Sequence, residues 1–163
     1  MELTMASRYG LTVPAEHGWE TRVFRREPLG ADEVTHPVLH ACTRPLPAVR
    51  GDFGSGVIDL LGADDVFVSL IDYGTEVADQ GLFARQGRPA LRPSQFATNR
   101  LARSYPGVSA AQHFFSEGGR AFCLFVVLGA HSRRMATVPR AQAMVRSVRV
   151  ASRTEMLRTG ALP

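Results

Sequence analysis

Val108-Ser109-Ala110-Ala111-Gln112-His113-Phe114-Phe115-Ser116-Glu117-Gly118-Gly119-Arg120-Ala121-Phe122-Cys123-Leu124-Phe125-Val126-Val127-Leu128 is the stretch on which the fold turns. Val108 to Phe115 alternates as a strand does, and Glu117-Gly118-Gly119-Arg120 carries the glycines of a tight hairpin turn. Ala121 to Leu128 then runs back almost without a polar residue. A strand apolar on both faces belongs in the interior of a sheet, so Cys123 is expected to be buried there. Upstream, Asp65 to Tyr73 has the same two-faced apolar character, and Val38 to Thr43 reads as another strand, stopped by Pro45 and Pro47. Leu11 to Pro14 and Trp19 to Phe24 read as two short strands separated by a turn. Val57 to Leu61 is expected to make one or two helical turns, and Phe96 to Ser104 a short helix. Downstream, Thr137 is placed to cap a helix with Pro139 in its first turn, and Ala141, Met144, Val145 and Val148 then form an inward stripe. Gln142, Arg146, Arg149 and Arg153 fall opposite. The architecture that follows is α+β, a mainly antiparallel sheet with helices packed on it.

The 163 residues suit a single domain with a core over about residues 8–150 and a C-terminal tail over 151–163. With 45% hydrophobic and 21% charged residues, the composition excludes a wholly disordered chain. No basic stretch followed by an apolar one opens the sequence, and the apolar run Ala121 to Leu128 is far too short to span a bilayer, so the expected location is the cytoplasm. All 19 basic residues are arginine. The lack of lysine excludes Schiff-base chemistry, a phosphate-loop lysine and a Ser-x-x-Lys pair. Cys42 and Cys123 lack C-x-x-C spacing and read as buried thiols.

The net charge of +4 conceals segregation. Residues 51–84 carry seven acids and no arginine, whereas residues 85–163 carry thirteen arginines against Glu117 and Glu155. The two regions are expected to pair within the fold first, then between copies or with an acidic partner surface. Arg146, Arg149 and Arg153 are the candidate partner-binding residues. Non-specific nucleic-acid binding, through the same stripe with Arg140 or through Arg85, Arg88, Arg92, Arg100 and Arg103, ranks behind these, because no stacking aromatics are interleaved with the arginines.

His36-x-Val38-x-His40-x-Cys42 places two imidazoles and a thiol on one face of a strand, ligand types that zinc accepts, with His113 as a distant recruit. The same pattern also reads as a half-buried strand whose histidines meet solvent or backbone. Gly51-Asp52-Phe53-Gly54-Ser55-Gly56 offers backbone N–H groups at the start of a helical turn. It matches neither a dinucleotide fingerprint nor a phosphate loop, and Asp52 opposes phosphate, so it reads as a structural turn. Asp64 and Asp65 are adjacent on an extended segment and point to opposite faces, which disfavours paired acid/base work. Ser55 lacks the nucleophile elbow. No cofactor is expected.

The stretches His36 to Ala41, Arg50 to Gly56, Asp64 to Val68 and Gly119 to Gly129 resemble small, functionally unassigned proteins of high-GC actinobacteria, over about residues 8–150. The order of early strands, a middle excursion, a strong hairpin and a closing helix resembles the Mog1/PsbP-like fold. That resemblance implies a binding or assembly factor and transfers no site residue. The leading expectation is therefore a non-enzymatic protein-binding module, the competing one a small metal protein or enzyme built on His36, His40 and Cys42.

Overall fold

The hairpin anchors a five-stranded antiparallel sheet. The structure, a computed structural model, describes residues 5–101 and 105–162. Strands β3 (Glu20–Arg25), β4 (Pro37–Cys42), β5 (Val66–Gly74), β6 (Ser109–Glu117) and β7 (Arg120–Leu128) lie in the order β3-β4-β5-β7-β6. Both turn glycines take positive φ, 61° at Gly118 and 77° at Gly119, which only glycine adopts without strain. The two most apolar strands, β5 and β7, are neighbours at the centre, as their two-faced hydrophobicity requires. Cys123 is fully buried there.

One face of this sheet carries Leu39, Val68, Leu70, Leu124 and Val126. Against it pack α1 (Arg134–Ser147) and a small antiparallel sheet of β1 (Met5–Arg8), β2 (Leu11–Pro14) and β8 (Arg149–Val150). Ala141, Met144, Val145 and Val148 are all buried against the sheet, as their spacing predicts. The helix begins a turn earlier than its sequence suggests, directly after a 3-10 turn at His131–Arg133. Thr137 is therefore interior rather than a cap, and its Oγ1 donates back to the Arg133 carbonyl at 3.1 Å. At the other end Arg88 donates to the Val145 and Val148 carbonyls and grips Glu117, closing the helix C-terminus with a cation.

Some segments depart from expectation. Phe96 is buried in the main core and Ala97 makes an extended bridge to Ala110, so Phe96 to Ser104 does not begin as a helix; residues 102–104, with Arg103, lie outside the described residues. The stretch from Ala151 is not a loose tail. Ser152 and Glu155 form a capping box for α2 (Arg153–Arg158), and Met156 is buried. Holding this end is Arg120, read from sequence as a turn residue. Its side chain is 1% exposed, pairs with Asp72 at 2.7 Å, and donates to the carbonyls of Tyr9, Gly10 and Ala151. Among the described residues, no helix is long and apolar enough to cross a membrane.

The expected pairing between the acidic and basic regions is present in Arg120 with Asp72 and Arg133 with Asp64. Arg146, Arg149 and Arg153 are exposed, but they do not share a helix face. α1 stops at Ser147, where Val148 turns extended, so Arg149 sits in β8 and Arg153 opens α2.

Candidate functional site

The other face of the sheet is covered by loops. Register places Arg22, His40, Ser69, Phe125 and Gln112 in one row across it. His40 and Ser69 are fully buried polar residues in otherwise apolar strands, and both need partners. One backbone carbonyl supplies them: Asp52 O accepts from His40 Nε2 at 2.9 Å and from Ser69 Oγ at 2.6 Å. A carbonyl only accepts, so Nε2 carries the proton and Nδ1 is the acceptor for Arg50 Nε at 2.9 Å. Arg50 in turn lies over the Phe24 ring, and the imidazole is flanked edge-on by Phe24 and Phe67. Burial, with the Arg50 charge beside it, pushes the His40 pKa down to about 4. At neutral pH the ring is uncharged.

These contacts fix the loop Arg50 to Gly56 on the sheet. Gly54 is required by geometry twice over, since its φ is 88° and a Cβ there would come within 2.6 Å of the Phe67 ring. The loop is thereby pressed close to β5, and Phe53 meets the edge of Phe125 with ring centroids 5.6 Å apart. Beside it opens a cleft of about 560 Å³, with Phe53, Ile58, Leu101, Tyr105 and Phe125 supplying apolar walls and Asp52 part of the rim. Small-ligand sites occupy roughly 300–1,000 Å³ and mix apolar walls with a few polar groups. Among the described residues, Asp52 Oδ1 is buried without a hydrogen bond and lies 3.6 Å from Arg26 Nε.

The metal-ligand candidates do not converge. His36, His40 and Cys42 share a face, as alternation demands, but each is engaged separately. His36 packs on Tyr73, both ring nitrogens of His40 are hydrogen-bonded, and Cys42 sits among Val57, Ile58 and Phe67. His113 lies in the row with Leu124, on the opposite face of the sheet from His40, so the sheet itself separates them. Among the described residues, no group of three or more His, Cys, Asp or Glu is placed to hold a metal ion. Burial raises the pKa of both thiols, that of Cys123 to about 11, so neither is a ready thiolate. With His40 and Ser69 committed to one carbonyl, the arrangement suits holding a shape rather than moving a proton.

Neither the role of Ser69 nor the anchoring of Gly51 to Gly56, which reads as a plain turn, stands out in the sequence. The available signal was a serine inside the apolar run Val66 to Ile71 together with a histidine inside Val38 to Cys42, two polar residues demanding a common partner. Comparison of the chain with protein-family models, with curated proteins and with solved structures finds no match.

Proposed function

We propose that the protein is a non-catalytic binding module whose cleft beside the Gly51 to Gly56 loop receives an apolar, preferably aromatic, side chain of a partner protein. The observation that supports this most directly is the anchoring of the loop. His40 and Ser69 hold it through the Asp52 carbonyl, which leaves Phe53, 40% exposed, projecting at the cleft against Phe125. An exposed aromatic on a fixed loop contributes contact area at low entropic cost on binding.

The test is a titration of the protein with N-acetyltryptophanamide, followed by ¹H–¹⁵N NMR. Shifts concentrated at Gly51 to Gly56, Ile58 and Phe125, and lost in a folded Phe53→Ala variant, are expected. Shifts scattered over the surface, or unchanged in that variant, would refute the reading.

A further inference from the structure

Among the described residues, no segment fills a gap along the outer edge of the five-stranded sheet. Glu117 and Arg120 flank a two-residue turn, so the odd-numbered residues of β6 bond to β7 while residues 110, 112, 114 and 116 turn their main-chain groups outward. Ala110 exchanges both bonds with Ala97 at 3.0 Å, and Ser116 is paired on both sides at 2.8 Å by Arg85 O and Gly87 N. Between these two points the chain leaves the edge to enter the core at Leu91 and Phe96. The N–H and C=O groups of Gln112 and Phe114 are left without a partner among the described residues. Gln112 is exposed, and His113 and Phe114 are half-buried. An edge of this kind templates an added strand.

The surrounding charge is positive. Arg85 leaves the edge at one end of the gap and Arg100 follows Ala97 at the other, both exposed and neither held by a carboxylate among the described residues. Both act electrostatically on His113 between them; burial first, then these two cations, lowers its pKa. Among the described residues, the buried His113 Nε2 has no hydrogen-bond partner. The two acids at the Ser116 end are already engaged, Asp79 by Gln86 and Glu117 by Arg88.

We propose that this gap accepts a short, extended acidic segment of another protein, whose main chain pairs with Gln112 and Phe114 and whose carboxylates meet Arg85 and Arg100. The site adjoins the cleft, with Gln112 across from Phe125 and Arg100 next to Leu101, but uses other residues, so Phe53→Ala tests the cleft and Gln112→Pro the edge independently.

The experiment uses the full chain and two terminally blocked hexapeptides, one of alternating Glu and Val and one of alternating Lys and Val. The Glu peptide is expected to shift the Gln112 and Phe114 amides, slow their hydrogen exchange and raise the His113 titration midpoint; the Lys peptide is expected to do none of these. Replacing Arg85 and Arg100 together by Ala should weaken Glu-peptide binding by about tenfold, with a smaller loss at high salt. Gln112→Pro, which removes an outward N–H without touching the main-chain bonds to β7 and loses only the Gln112 Nε2 contact to Cys123 Sγ, should abolish the exchange protection. Equal binding of the Lys peptide, unchanged exchange at Gln112 and Phe114, or protection of these amides by self-association without peptide would each overturn the proposal.

Discussion

The two faces of the central sheet are covered by different means. On one, a helix and a second sheet close so tightly that the void between Leu39, Leu70, Phe115 and Val145 holds only about 10 Å³. On the other, loops leave an open cleft of about 560 Å³. Regular elements bury long apolar stripes and satisfy their own backbone, so they pack densely. Loops must borrow partners from side chains, and His40 and Ser69 are there for that purpose. The closed face therefore carries stability and the looped face presents surface, a division that mutation can test.

The largest effect is expected on the closed face. Arg120→Ala leaves Asp72 buried without its cation and takes the side-chain donor from the Tyr9 and Ala151 carbonyls, while Gly10 O keeps the Ala151 N–H, at a cost of about 3–5 kcal/mol in urea unfolding. A loss under about 1 kcal/mol would mean that the two sheets are not joined through this residue.

On the looped face the leading effect is a dependence on pH. The His40 pKa is lowered in the folded state, so above the ordinary histidine value both states are neutral and nothing is lost. As pH falls below about 6.5 the unfolded chain takes up a proton that the folded chain refuses, and stability declines until about pH 4. The full loss is about 3 kcal/mol. The difference in stability between pH 7 and pH 4 should shrink by that amount in a His40→Gln variant; an unchanged difference would show that His40 is not buried neutral.

Ser69→Ala is the smaller change. It removes one of two donors to the Asp52 carbonyl while His40 remains, so about 1 kcal/mol is expected, together with faster amide exchange at Gly54 and Gly56. Faster exchange throughout β5 instead would mean that Ser69 supports the sheet rather than the loop.

These differences also explain what the sequence discloses. Strands β4 to β7 and the inward stripe of α1 are legible because alternation and helical spacing record burial directly, and the Gly118-Gly119 turn fixes their pairing. β1, β8 and α2 are too short and too exposed to leave such a pattern, and they are held by Arg120, whose role depends on Asp72, 48 positions away. Pro139 misplaces the helix start because an interior proline reads the same as one in the first turn. His40 suggested a ligand because the sequence shows only which residues share its face, whereas its partners, Asp52 and Arg50, lie on a loop that crosses above. A carbonyl acceptor has no signature in sequence.

The anchoring of that loop through His40 is the claim on which the reading of the looped face rests, and ¹⁵N NMR of the imidazole across pH tests it most directly. A neutral ring at pH 7 is expected, with the proton on Nε2, Nδ1 unprotonated, and a midpoint near 4. A ring protonated on Nδ1, or titrating at about the ordinary 6.5, would show that the Asp52 carbonyl is not held and that the cleft is not preformed.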